Sequence, residues 1–173
     1  SADTLIANNM LVGPAESGVA ILSPQGRAII EGNHIEGVQK GVRRRGYSPP
    51  DNEGVMHRVL IQGNQFRACS LNHIYPEGTT QGGLLQITGN WFEEGGVGAT
   101  DAVIRTEGAN VAISGNHFNF TAATTYGILI SGAGATCHNA VRGNQFLGAG
   151  YTPLHINNSG SIVIEGNTNV VTG

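Results

Sequence analysis

The fold is decided by one repeated stretch, which is clearest in Val111-Ala112-Ile113-Ser114-Gly115-Asn116-His117-Phe118. This stretch reads as apolar-x-apolar-x-Gly-Asn-x-Phe. The same phrase recurs at residues 59–66, 85–92 and 139–146, and a close copy occupies 28–35. Residues 162–167 carry its first six positions, and residues 4–11 are a weaker version with Asn-Asn in place of Gly-Asn. The chain is therefore built from one repeating unit.

The spacing of the repeats indicates a solenoid. The repeated asparagines are Asn9, Asn33, Asn64, Asn90, Asn116, Asn144 and Asn167. They lie 24, 31, 26, 26, 28 and 23 residues apart. Periods of 20 to 50 residues are typical of solenoids and repeat arrays. All 173 residues then form one domain, and because the chain opens within a repeat we expect it to be a piece of a longer protein.

Local periodicity predicts strands rather than helices. Counting from each Asn, apolar residues occupy positions −5 and −3, polar or small residues alternate with them, and a further apolar residue stands at +2. This is the period of two that defines a strand. The Gly-Asn pair interrupts the alternation and predicts a sharp bend with the Asn in a left-handed conformation. A third apolar phrase in each repeat, such as Val19-Ala20-Ile21 or Gly127-Ile128-Leu129-Ile130, predicts a third strand.

Two inward columns follow from this alternation. Position −3 reads Ile6, Ile30, Ile61, Ile87, Ile113, Val141 and Ile164. Position +2 reads Leu11, Ile35, Phe66, Phe92, Phe118, Phe146 and Asn169. Strands in successive coils lie about 4.8 Å apart, so the phenylalanines are expected to stack and the asparagines to bond to one another or to the bend.

The repeated Gly-Asn-x-Phe after a short strand resembles the right-handed parallel β-helix of the pectate-lyase-like superfamily. The resemblance covers the whole chain and implies an all-β, single-stranded β-helix of about six to seven coils. Few lysines, many glycines and asparagines and no visible secretion signal make it most similar to β-helical segments of phage tailspikes. That likeness implies a trimer that binds, and often degrades, bacterial surface polysaccharide, located in the virion tail or outside the cell.

Composition excludes several other classes. A net charge of −3 gives no sign of a basic surface that would bind nucleic acid, and no apolar run approaches the length of a membrane span. Two cysteines do not make a disulfide framework, and only three aspartates leave too few carboxylates for a typical calcium site. The histidines show no metal-ligand spacing with a cysteine. We therefore expect no metal and no cofactor.

The outward position +1 provides a candidate ligand strip, which we call the outer row. Its members are His34, Gln65, Trp91, His117 and Gln145. An indole with polar neighbours suits a sugar. Beside it, position +3 carries Glu36, Arg67 and Glu93, which alternate in sign. The plainer interpretation is a surface ion-pair ladder that contributes about 0–1 kcal/mol per pair.

Position −4 also points outward but is apolar, and we call it the apolar row. It reads Leu5, Ile29, Leu60, Gln86, Ala112, Ala140 and Val163. An exposed apolar stripe indicates an interface or a covering loop. A homotrimer that packs these rows together is the favoured explanation, and a loop folded over the row is the alternative.

The longest interval, between Asn33 and Asn64, contains an arginine-rich insertion. Arg43, Arg44 and Arg45 precede Tyr47 and a Pro-Pro-Asp-Asn-Glu turn. Guanidinium groups bind carboxylates in a bidentate manner, so the loop could hold an anionic sugar, with Tyr47 or His57 as the base of a lyase. Alternatively, the arginines pair with nearby acids or contact a neighbouring subunit.

A glycoside hydrolase needs two carboxylates at a defined separation. Glu94 and Asp101 lie on one connection after Trp91, with Glu107 as another possible partner. Glu93 and Glu94 would point to opposite sides if extended. Three hypotheses result: a trimeric polysaccharide-binding module, a hydrolase or lyase of the same superfamily, and a β-helical spacer without a ligand.

Overall fold

The computed structural model describes residues 3–21, 27–44, 58–76, 84–95, 102–107, 110–120, 126–131, 138–148, 151–157 and 160–170. Every regular element in these ranges is a β-strand, and they contain no helix able to cross a membrane. The all-β prediction is therefore confirmed. Predicted residues Arg45, Tyr47, His57 and Asp101 lie outside the described ranges.

The described strands form three parallel sheets. The first sheet contains β1 (Thr4–Ala7), β4 (Arg27–Glu31), β7 (Arg58–Gln62), β10 (Leu84–Thr88), β13 (Asn110–Ser114), β16 (His138–Arg142) and β19 (Ser161–Glu165). The second contains β2 (Met10–Val12), β5 (His34–Glu36), β8 (Gln65–Cys69), β11 (Trp91–Gly95), β14 (His117–Asn119), β17 (Gln145–Leu147) and β20 (Thr168–Val170). The third contains β3 (Ser17–Ile21), β6 (Lys40–Arg44), β9 (Asn72–Pro76), β12 (Ala102–Glu107), β15 (Tyr126–Ser131) and β18 (Thr152–Asn157).

The order of strands within each sheet defines a parallel β-helix. In each sheet, a strand pairs with the strand three positions earlier and three positions later in the chain. The chain therefore visits the three sheets in turn and stacks one coil on the next. The predicted third strands at residues 19–21 and 127–130 are present within β3 and β15, and four further strands join them in the third sheet.

The register places the predicted inward columns in the core. Ile61 pairs with Ile87 and Ile87 with Ile113, and all three are buried. Phe66, Phe92, Phe118 and Phe146 stack with ring centroids 5.1, 4.9 and 4.7 Å apart and with interplanar angles of 16°, 27° and 19°. Stacked rings of this kind add about 0.5–1.5 kcal/mol per pair beyond burial.

The ends of the columns are less buried than predicted. Ile164 is 49% exposed, and Ile6 and Leu11 are only partly buried. These residues lie in the first or last described coil, where a neighbouring coil is described on one side only.

The asparagine column is a continuous hydrogen-bonded ladder. In each step, one side-chain oxygen accepts both the backbone N–H and the Nδ2 of the Asn in the preceding coil, at 2.9–3.0 Å. The same Nδ2 also donates to the carbonyl at position −3 of the preceding coil, as Asn116 does to Ile87. This ladder satisfies the buried polar groups at the bend, as burial requires.

The bend itself differs from the prediction in one respect. The left-handed residue is the glycine before each Asn, with φ between 59° and 62°, and the Asn is not left-handed. In the first coil, the glycine is replaced by Asn8, whose φ is 56°. Glycine reaches this conformation without steric cost, and Asn is among the few other residues that tolerate it. The prediction named the wrong member of the pair because both residue types favour positive φ.

The core also contains residues outside the predicted inward columns, among them His73. His73 is fully buried and meets the edges of the Phe66, Phe92 and Phe120 rings, with centroids 6.1, 5.6 and 5.9 Å away. Its Nε2 lies 3.3 Å from the carbonyl oxygen of Glu93, while its Nδ1 has no hydrogen-bond partner. Burial lowers the pKa of His73 to about 4, so the imidazole is neutral at pH 7.

Candidate functional site

The structure brings the five residues of the outer row together. His34 pairs in register with Gln65, Gln65 with Trp91, Trp91 with His117, and His117 with Gln145. Their side chains therefore leave the second sheet at one position in five successive coils. All five are partly or fully exposed, which places the row on the surface as predicted.

Polar contacts connect the first members of the row. His34 Nδ1 lies 3.1 Å from Gln65 Oε1, and His34 Nε2 lies 2.9 Å from Glu36 Oε2. The Glu36 hydrogen bond, with a second contribution from Gln65, raises the pKa of His34. The same bond lowers the pKa of Glu36. The two groups therefore favour each other's charged forms.

The Trp91 indole, predicted to contact a sugar, is engaged by two neighbouring side chains. Its ring stacks on the His117 imidazole, with centroids 5.0 Å apart and an interplanar angle of 16°. Its Nε1 donates a 2.5 Å hydrogen bond to Glu93 Oε1. One indole face is thus covered within the chain, although the residue remains 38% exposed. A ligand would meet the rest of the ring together with the Glu93 carboxylate.

The charged row at position +3 is only partly the predicted ladder. Arg67 lies between two carboxylates, with Nη1 3.6 Å from Glu36 and Nε 3.8 Å from Glu94. Glu93 bonds to Trp91 instead. Glu94 has φ 40°, so it is not extended and the predicted opposite orientation of Glu93 and Glu94 does not apply. Because these contacts are long and exposed, each contributes about 0–1 kcal/mol.

A groove that the sequence did not predict runs along the bends between the first and second sheets. Its volume is about 470 Å³, and it is lined by Asn8, Glu31, Gly32, Gln62, Gly63, Thr88 and Gly89. A Cβ added at Gly63 or Gly89 would meet nothing within 4 Å, so the glycines leave the groove open. The outer row lies three residues beyond the groove's polar side chains, across the same bends. Position −2 of the repeat points outward in the alternation, and this could have identified Glu31, Gln62 and Thr88 as surface residues of the bends.

The predicted catalytic set is not assembled in the described residues. Glu94 is present on β11 with its side chain 58% exposed, but Asp101 and Tyr47 lie outside the described ranges. Arg43 is on β6 and forms an ion pair with Glu16. Arg44 ends the same strand, and Arg45 lies outside the described ranges.

A second group of charged and aromatic residues on the third sheet was also missed. Lys40 Nζ lies 5.1 Å from the centre of the Tyr75 ring, and the Arg105 guanidinium lies 5.5 Å from it. Both distances fit cation–π contacts. The three residues lie far apart in sequence, on β6, β9 and β12, so only the register reveals them.

Metal chemistry finds no support in the part of the chain that the structure describes. Within it, no group of three His, Cys, Asp or Glu side chains is arranged to hold a metal ion. Cys69 is buried and free, and desolvation raises the pKa of its thiol to about 12. A thiol in this state is a poor metal ligand or nucleophile, because both roles require the thiolate.

The fold places this chain among the parallel β-helix proteins. Comparison with known protein families, with curated proteins and with solved structures finds no match. The site is therefore defined by its own geometry: a glycine-lined groove, the outer row beside it, and the charged row at position +3.

Proposed function

We propose that this chain is a β-helical module that binds bacterial surface polysaccharide through the groove and the outer row. It resembles the pectate-lyase-like superfamily, and within it the tailspikes of phages, which would place it in a virion tail or outside the cell. The observation that carries the proposal is the alignment of Trp91, two histidines and two glutamines in register beside an open groove.

The chemistry of this surface suits a sugar chain. Amide and imidazole groups donate and accept hydrogen bonds to hydroxyls, and an indole supplies apolar contact for pyranose C–H groups. Successive coils repeat about every 4.8 Å, so equivalent groups recur along a linear polymer. The rigid sheet holds the side chains in place before the ligand arrives, which reduces the entropy lost on binding.

The apolar row supports assembly as a homotrimer. Leu5 is 63% exposed, Ile29 38% and Val163 37%, and all three lie on the first sheet, away from the outer row. A hollow of about 240 Å³ beside Ile29 and Leu60 interrupts the same face. Packing these rows together in a parallel trimer would remove the apolar surface from water and leave the outer rows free for polysaccharide.

A panel of bacterial capsular polysaccharides and lipopolysaccharides tests the proposal, with binding measured by calorimetry. Trp91→Ala is expected to weaken binding about tenfold or more, because exposed aromatic anchors carry a large share of binding energy. Tyr126→Ala is the matched control, since Tyr126 packs on His155 at 4.7 Å on the third sheet, away from the groove. Equal affinities for native protein and Trp91→Ala would reject the role of the outer row.

An enzyme of the same superfamily is the second candidate, because Glu36 and Glu94 both contact the Arg67 guanidinium and so lie near each other on the outer surface. Release of reducing ends would indicate a hydrolase, and ultraviolet absorbance of an unsaturated product would indicate a lyase. Glu36→Gln and Glu94→Gln test this pair and are expected to abolish hydrolysis, and Asp101→Asn tests the carboxylate that the sequence predicted as the partner of Glu94. A module that neither binds nor cleaves any polysaccharide would be a structural spacer.

A further inference from the structure

We propose that the site selects a polysaccharide bearing positively charged amino sugars over neutral and acidic ones. This inference rests on the proposed polysaccharide-binding function and names the ligand class for it. It is carried by the charges around the groove and the outer row, by the position of Trp91 among them, and by the open floor of the groove.

Among the residues that the structure describes, carboxylates outnumber cations at this surface. On the second sheet, Glu36 and Glu94 contact the Arg67 guanidinium. Glu93 pairs in register with Arg67, and its carboxylate accepts a hydrogen bond from Trp91. Glu31 adds a fourth carboxylate within the groove, where it accepts a 2.7 Å hydrogen bond from the neutral Gln62. The site therefore carries net negative charge even when a neighbouring histidine is protonated. An acidic glycan would meet like charge on binding, which is unfavourable.

Glu36 lies 2.9 Å from His34, whereas the Arg67 guanidinium holds its carboxylate partners at longer distances. Arg67 stands 3.6 Å from one and 3.8 Å from another, and its own side chain is 47% exposed. The Glu94 side chain is 58% exposed, and the backbone φ of 40° at this residue departs from the geometry of an extended strand. A carboxylate provides about four acceptor positions, so these groups retain capacity for a ligand ammonium.

Trp91 joins an aromatic ring to one of these carboxylates. Its indole N–H donates to Glu93 Oε1 at 2.5 Å, so the ring edge and the carboxylate are adjacent. An ammonium group is attracted both by the carboxylate and by an aromatic ring within about 6 Å. An N-acetyl group offers neither the charge nor the same donors, so acetylation of the sugar is expected to weaken binding.

The groove gives the sugar rings access to the backbone at the bends. Its floor contains Gly63 and Gly89, where an added Cβ would meet no atom within 4 Å. A pyranose can therefore approach the backbone at the bends. Its amine would then lie within reach of Glu31 on one side or of the outer surface of the second sheet on the other.

Sugar oligomers of equal length distinguish the effect of ligand charge on affinity from the effect of ligand shape. Hexamers of glucosamine, of N-acetylglucosamine and of galacturonic acid are compared by calorimetry at a pH where both amines and glutamates are charged. The glucosamine hexamer is expected to bind about tenfold more tightly than the acetylated one, and the acidic hexamer least. Added salt should reduce the preference, because it screens exposed charges.

Substitution of the carboxylates tests which residues provide the selection. The combined change Glu36→Gln, Glu93→Gln and Glu94→Gln is expected to bring the glucosamine and N-acetylglucosamine affinities to within about twofold. Glu165→Gln is the control, because this exposed glutamate pairs with Arg142 on the first sheet at the last described coil. If the triple variant does not fold, the salt dependence of the native protein decides the question.

The outcomes separate this inference from the proposed function. Equal binding of the amine and acetylated hexamers, or stronger binding of the acidic one, overturns the charge selection while polysaccharide binding stands. Failure to bind any of the hexamers or any polysaccharide of the bacterial panel overturns both.

Discussion

Asn116 Oδ1 accepts two hydrogen bonds from Asn90 in the preceding coil, one from its backbone N–H at 2.9 Å and one from its Nδ2 at 3.0 Å. Both residues are fully buried. The side-chain amide of Asn116 therefore closes the bend of one coil and fixes the distance between that coil and the next. The repeated Gly-Asn pair has this role throughout the described stack.

Asn116→Ala is expected to destabilise the protein by about 3 kcal/mol or more. The change leaves the backbone N–H of Asn90 without its acceptor and removes the donor to Ile87. Asn90 Nδ2 loses one acceptor and keeps the carbonyl oxygens of Ile61 and Thr88. Asn9→Ala is the control, because Asn9 is exposed at the first bend. Urea denaturation followed by circular dichroism gives both values, and equal losses would contradict the role of burial in the ladder.

Gly89→Ala is expected to cost about 1–2 kcal/mol through backbone strain alone. The φ of Gly89 is 62°, and a Cβ there would meet no neighbour, so no clash contributes. Gly89→Asn should cost less than half as much, because Asn8 occupies the equivalent position with φ 56°. The denaturation midpoints of the two variants measure the difference. An alanine variant as stable as the native protein would show that the bend can relax.

His73 is expected to make the protein less stable in acid. Its pKa is about 4 when folded, below its ordinary value of 6.5, so the unfolded chain binds the proton first as pH falls. The stabilisation from neutral His73 is complete above about pH 6.5 and is lost progressively down to about pH 4, which amounts to about 3 kcal/mol.

His73→Leu should reduce that pH dependence, because leucine fills the aromatic cage without a titrating group. The measurement is the urea midpoint of native and variant protein at a series of pH values between these limits. His155→Gln is the control, since His155 is exposed on β18. If the native protein and His73→Leu lose stability in parallel, another group is responsible.

Ile29→Glu is expected to convert the proposed trimer to monomers. Ile29 lies at the centre of the outward face of β4, and a buried glutamate at a subunit interface would lack a partner. Met10→Glu is the control, because Met10 is 74% exposed on the second sheet, away from the apolar row. Light scattering gives the mass of each protein. A native monomer would reject the trimer and leave a covering loop as the explanation of the apolar row.

The fold could be predicted because each repeat carries the same local signals. Alternation around Asn90 gives strand period, and the Gly-Asn pair gives the bend. The phenylalanines follow at a constant offset, so Phe66, Phe92 and Phe118 had to stack once the coils were in register. The Gly and Asn roles were assigned incorrectly, because residue type alone does not tell which of two permissive residues takes positive φ.

The candidate site was only partly predictable. The outer row followed from alternation, since Trp91 and His117 share one position in the repeat. The groove did not follow from the alternation. It is lined in part by glycines, whose lack of a Cβ atom leaves space at the bends. The positions of Glu93 and Glu94 also escaped prediction, because φ 40° at Glu94 departs from the strand that the alternation implied.

The sequence by itself determined the solenoid, its inward columns and the asparagine column, because a period of about 26 residues repeats the same short-range preferences in every coil. Only the tertiary structure decided what each column contacts. Register placed His73 between phenylalanines, set Trp91 on His117, and put Arg67 between Glu36 and Glu94. Apart from the contact of His73 with Phe66, these contacts join residues of different coils, and intervals between 23 and 31 residues do not specify their side-chain geometry.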